Sequence, residues 1–196
     1  MARVELATGK VQSGKTSLVA ARVEQARARG LRVAGVLAVD REDEDGVVRR
    51  GLTLVSENTT IPFQANQGRP CPDCTGACQD VPASSPTGDP VVSVGNFVFF
   101  KSAFDRAEAE IRGAAQAGVD LVVVDEVGPL ELKRQEGLYH VVGELLEARS
   151  QFPKMSVVIV VRSQLRDKFT ETYNLTADDV IDLDLGDACG AEGVLR

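Results

Sequence analysis

Hydrophobic residues recur along this chain in two alternating rhythms. Short aliphatic runs suited to strands stand between longer stretches with helical spacing. Arg3 to Thr8 reads as a short buried strand, Gly9 to Lys15 as a glycine-bearing loop, and Thr16 to Arg29 as a helix stopped by Gly30. Leu31 to Val39 is apolar and β-branched. The acidic turn Asp40 to Asp45 with Gly46 leads into a second strand, Val47 to Val55, so the pair predicts a β-hairpin. Regular structure resumes at Val91 to Phe99, followed by a helix over Ser102 to Ala117 with Phe104, Ala107, Ile111 and Ala114 near helical spacing. Val119 to Val124 is continuously aliphatic, the pattern of a parallel strand buried on both faces. A helix from about Lys133 to Arg149, a strand Ser156 to Val161, a short helix after Ser163 and a last strand near Val180 to Leu185 complete the order. Strands alternating with helices predict an α/β fold, three layers around a mostly parallel sheet. No internal repeat is visible.

Between Ser56 and Pro90 the composition shifts to Asn, Thr, Gln, Pro, Gly, Ser and Cys, with Pro70, Pro72, Pro82, Pro86 and Pro90 punctuating it. A long irregular excursion of this kind needs a function or a tie other than a hydrophobic core. At 196 residues the chain fits one α/β domain, 1–196, with this stretch as an insertion at about 56–90. The composition, 43% hydrophobic and 26% charged, is that of a globular protein. A net charge of -7, with basic residues scattered among acids, gives no strong nucleic-acid signal. No apolar run approaches membrane-spanning length, and the first strand begins almost at Met1, so the expected location is cytoplasmic.

Two short segments carry chemistry. Gly9-Lys10-Val11-Gln12-Ser13-Gly14-Lys15-Thr16 satisfies G-x-x-x-x-G-K-[ST] between a predicted strand and a predicted helix, the context its mechanism requires. Its glycines let backbone N–H groups wrap phosphate oxygens, and the helix N-terminus, continuing through Ser17, adds positive character. Lys15 is the candidate for the β- and γ-phosphates, and Thr16 the candidate hydroxyl for Mg²⁺. Leu121 to Val124 followed by Asp125-Glu126 has the form of a Walker B strand. Asp125 is the candidate magnesium carboxylate and Glu126 the candidate base that orients and deprotonates a water. Arg162, directly after the strand Val157 to Val161, is the candidate cation for the γ-phosphate, and Arg49 or Arg50 a weaker one. His140, the only histidine, falls on a helix among Val141, Val142 and Leu145 and is read as structural.

The stretch Asp125-Glu126-Val127-Gly128-Pro129-Leu130-Glu131-Leu132 closely resembles the D-E-I-G-P-M-E-L signature of the small P-loop nucleoside-triphosphatase family, the one that includes the cancer-related nucleoside-triphosphatase. Arg49-Arg50-Gly51-Leu52 looks like the family's R-x-G-F step, and Val94-Gly95-Asn96-Phe97-Val98 like its V-G-x-Y-x-V segment. The resemblance implies a P-loop NTPase fold and magnesium-dependent hydrolysis of ATP, GTP and other nucleoside triphosphates with little base selectivity. The chain departs from the family in its loop, Lys10-Val11-Gln12-Ser13, which lacks the usual proline and extra glycine, and in Leu52 for Phe. A small-molecule or nucleotide phosphotransferase, and a nucleotide-dependent switch or accessory protein, use the same cradle and stand as alternatives.

Cys71, Cys74 and Cys78 lie within eight residues, and a C-P-x-C turn places two thiolates for one metal. With Cys189 they make a candidate Cys₄ zinc site that pins the excursion. An iron–sulfur cluster, free thiols and a redox pair are the other readings.

Overall fold

The computed structural model describes residues 4–10, 13–42, 48–65, 88–94 and 97–183. The strands are β1 (Val4–Gly9), β2 (Val33–Glu42), β3 (Val48–Leu54), β4 (Thr59–Pro62), β5 (Val91–Val94), β6 (Phe97–Phe100), β7 (Leu121–Val127), β8 (Ser156–Arg162) and β9 (Val180–Leu183). The helices are α1 (Lys15–Ala28), α2 (Lys101–Ala117), α3 (Pro129–Arg134), α4 (Tyr139–Ala148) and α5 (Arg166–Thr172).

Seven strands form one sheet in the order β4-β3-β2-β7-β8-β1-β9. The five from β2 to β9 are parallel, and β3 and β4 extend the sheet antiparallel from β2. Side-chain alternation sorts β7 and β8 between two layers. Val122, Val124, Val157, Ile159 and Val161 face the layer of α2, α4 and α5, where Phe104, Ile111, Leu145 and Phe169 pack. Leu121, Val123, Val158 and Val160 face α1, meeting Val19, Val23 and Ala26. Burial on both faces is the reason these strands read as unbroken aliphatic runs.

At Gly35 the backbone of β2 lies tight against that of β7. Its φ is +116°, and a Cβ there would lie 1.9 Å from the Val123 carbonyl oxygen. Gly35→Ala is therefore expected to destabilise the protein by about 3 kcal/mol or more, read by urea unfolding. A loss within experimental error would show that β2 shifts freely.

Three elements differ from the sequence reading. The helix expected over Lys133 to Arg149 is two helices, because Gln135 and Gly137 adopt φ of 56° and 60° and turn the chain between α3 and α4. Val91 to Phe99 is a two-stranded antiparallel hairpin of β5 and β6, not one strand. The excursion begins in regular structure, since β4 pairs with β3 and forms the sheet edge. Pro62 sits at the end of that edge strand, where a missing N–H is tolerated. Cys71, Cys74, Cys78 and Cys189 lie outside the described residues.

Candidate active site

Parallel register builds the site. β1 and β8 run side by side with Gly9 opposite Arg162, and β8 in turn pairs with β7, which ends in Asp125-Glu126-Val127. The phosphate-loop glycine, the arginine and the two acids thus share one edge of the sheet, at the carboxyl ends of its strands, where ligands bind in open α/β sheets.

Gly14 supplies the turn into α1 with φ 85°, a left-handed conformation that suits glycine. The first turn of α1 carries no acidic residue, so its N-terminal end keeps its positive character for an anion. Lys15 is buried and folds back over the loop, its ammonium donating to the Gly9 carbonyl at 3.2 Å and the Lys10 carbonyl at 2.6 Å. Ser13 and Ser17 are exposed, and Val11 and Gln12 lie outside the described residues.

Between Val124 and Val127 the pairing register of β7 with β8 shifts. A regular strand would send neighbouring side chains to opposite faces, yet Asp125 and Glu126 both line one pocket. Thr16 and Ala38 line the pocket beside Asp125, so the two sequence motifs meet there. Burial raises the Asp125 carboxyl to about 6 and the Glu126 charge adds to this, while the nearby Thr16 hydroxyl, the Ala38 backbone and the Arg50 charge act the other way. Its Oδ2 is buried without a hydrogen-bond partner among the described residues. A buried, unsatisfied carboxylate oxygen beside a threonine hydroxyl is the hard oxygen donor set that Mg²⁺ prefers.

Arg162 donates from Nε at 3.0 Å and Nη2 at 2.9 Å to Glu126 Oε1, so the candidate cation and the candidate base are paired with one another. Of the two weaker candidates, Arg50 lines the pocket and Arg49 does not. His140 is exposed and meets the Tyr139 ring edge-on at 4.9 Å, which places it on the α4 surface rather than in the core.

The sequence reading gave no role to Glu131 or to the phenylalanines beside it. Glu131 is buried, accepting from the Gly128 N–H at 2.9 Å and the Leu138 N–H at 3.3 Å, and so ties the turn after Glu126 to the start of α4. Burial pushes its carboxyl up to about 7, against the pull of those backbone hydrogen bonds. A carboxyl whose pKa is higher in the folded than in the unfolded state binds a proton on folding. The stability it adds is full below about 4.5 and is lost as pH rises through about 7. The stability of the wild type relative to Glu131→Gln is expected to fall between about pH 5 and about pH 8, by on the order of 2 kcal/mol. Urea titrations at both pH values check this, and a difference that does not change with pH contradicts it. Glu131 lies within the family-like signature, which was the available signal. Four of the chain's seven phenylalanines, Phe63, Phe97, Phe99 and Phe104, wall the same pocket but come from scattered segments.

The chain matches the family described as NTPase over residues 5–182. It belongs to that NTPase family. A match spanning β1 to β9 takes in both acidic residues and the phosphate loop, and makes this chain a nucleoside-triphosphatase. Among solved structures, this NTPase is similar to a human cancer-related nucleoside triphosphatase determined in solution. The two share 18% identity with a TM-score of 0.57, over 95% of this chain and 91% of that one. At that identity the likeness carries the fold, a mostly parallel sheet with flanking helices. No curated protein matches the chain. No helix among the described residues is long and apolar enough to cross a membrane. Among those residues there is also no group of three or more His, Cys, Asp or Glu side chains poised for a metal.

Proposed function

We propose that this NTPase cleaves the terminal phosphoanhydride of ATP, GTP and other nucleoside triphosphates in a magnesium-dependent way, giving the diphosphate and free phosphate. The carrying observation is that Thr16 and Asp125 line one pocket, which brings the end of the glycine loop to the acidic strand end. Gly9 to Ser17 cradle the phosphates through backbone N–H groups and the α1 N-terminus. Lys15, which now holds two loop carbonyls, exchanges them for β- and γ-phosphate oxygens. Thr16 and Asp125 would hold the metal, which when bound neutralises charge on those oxygens. Arg162 turns from Glu126 to the γ-phosphate, and the freed Glu126 carboxylate takes the proton of the attacking water.

Phosphate release from ATP, GTP, CTP and UTP, measured with Mg²⁺ and again with excess chelator, tests this reading. Comparable turnover of all four that stops on chelation supports it; turnover indifferent to chelator contradicts it. For Cys71, Cys74, Cys78 and Cys189 we propose a structural zinc site. Protein purified without added metal is expected to carry one zinc per chain. Four freely titratable thiols with neither zinc nor iron would remove the idea.

A further inference from the structure

Hydrolysis requires room beside Glu126 for one water. The pocket there measures about 350 Å³, roughly an order of magnitude more than one water occupies in the liquid. That volume falls in the ~300–1,000 Å³ range of sites that enclose small organic ligands. Its polar lining comes from Thr16 in α1, Arg50 in β3, the ends of β7 and β8, and Glu131 in α3, and much of its apolar lining from β6, α2, α3 and the chain after β4. Phe63 packs against Phe99 at 4.6 Å and edge-on against Phe104 at 5.1 Å, a surface suited to a flat ring. Phe97, 44% exposed, stands over Phe99 with near-parallel rings.

The direction of the pocket follows from the chemistry, and this step rests on Glu126 acting as the base. In-line displacement sets the nucleophile opposite the leaving diphosphate. The space into which Glu126 opens is then the acceptor side, and the nucleoside of the triphosphate extends the other way. A charged acceptor would lose its hydration against the phenylalanine walls, while the polar end already balances Arg50 and Arg162 against Glu126 and Glu131.

We propose that this pocket is an acceptor site for a small, uncharged aromatic alcohol, to which the γ-phosphoryl group is transferred in place of water. The hydroxyl oxygen forms the new bond to the γ-phosphorus. The bond from that phosphorus to the β,γ-bridging oxygen breaks, its electron pair leaving with the nucleoside diphosphate. The hydroxyl proton passes to Glu126 and then to solvent, so triphosphate and alcohol become diphosphate, phosphate monoester and a proton. Water remains the default nucleophile when the pocket holds no alcohol.

The probes are benzyl alcohol, adenosine, guanosine, cytidine and uridine, each at millimolar concentration with Mg²⁺ and γ-³²P-labelled ATP. Chromatography separates labelled monoester from free phosphate. In parallel, carbon-13 spectra of phenylalanine-labelled protein with Mg²⁺ and a non-hydrolysable ATP analogue report binding. The expected result is saturable transfer to at least one probe, with ring shifts confined to Phe63, Phe97, Phe99 and Phe104. Ala107→Phe, which fills the pocket from α2, is expected to lower the ratio of transfer to hydrolysis at least tenfold. Should that variant not fold, the rim change Phe97→Ala is expected to raise the half-saturating acceptor concentration severalfold. Label recovered only as free phosphate with every probe, with or without ring shifts, overturns the acceptor site and leaves the hydrolase reading standing. Absence of ATP binding and turnover altogether overturns both.

Discussion

Replacing Lys15 with alanine is expected to lower kcat/KM for nucleoside triphosphates by roughly 10²–10³-fold. The residue sits at the first position of α1, behind a loop whose carbonyls its ammonium now satisfies at 3.2 and 2.6 Å. In the proposed mechanism that charge would face the oxygens on which negative charge moves as the γ-phosphoryl group departs. Alanine leaves the loop backbone and the helix terminus in place, so the loss falls on charge stabilisation rather than on the fold. Steady-state phosphate release gives the ratio, and a thermal melt near the wild type establishes that the fold survives. A variant that turns over nucleotide at the wild-type rate would remove Lys15 from the mechanism.

Glu126→Gln is expected to reduce kcat by roughly 10²–10⁴-fold while leaving nucleotide affinity nearly intact. Glutamine keeps an oxygen for Arg162 but cannot take a proton from water. Loss of the Arg162 charge pair has little structural cost, because both side chains are about one-third exposed, at 33% and 32%. The informative comparison is therefore kcat against the dissociation constant of a non-hydrolysable analogue. Equal losses in both would make Glu126 a binding group, and an unchanged kcat would move the base elsewhere.

The parts of this site that could be read from the sequence are those compressed into contiguous segments. Gly9 to Thr16 and Asp125-Glu126 carry their chemistry in order and spacing, and the aliphatic run before the acids announces a strand buried on both faces. Arg162 was legible for the same reason, since it closes a run of five aliphatic residues, Val157 to Val161. Strand order was not, because the insertion of β8 between β7 and β1 is set by pairings across most of the chain. The phenylalanine pocket escaped notice because Phe63, Phe97 and Phe104 lie on three separate segments that only tertiary packing assembles. The break between α3 and α4 was hidden by apolar residues continuing at helical spacing on both sides of it. Only the positive φ of Gln135 and Gly137, with Leu138 turned back to donate to Glu131, reveals that the chain reverses there.

In the proposed mechanism, the pairing of Arg162 with Glu126 would link binding to catalysis in the same few side chains. While the two are paired, the candidate base is occupied by the candidate cation. A γ-phosphate would compete for Arg162 and release the carboxylate as the substrate arrives. Diphosphate lacks that group, so the same chemistry disfavours activation of water once the product has formed.

The most direct test of a shared triphosphate site is a structure of the complex with Mg²⁺, ADP and fluoroaluminate. The account predicts the fluoride plane between Lys15 Nζ and the Glu126 carboxylate, with Thr16 and Asp125 on the metal side and Arg162 turned toward the fluorides. Fluoroaluminate bound on the loop with its axial water beyond hydrogen-bonding reach of Glu126, or a metal that does not engage Asp125 directly or through water, would contradict it.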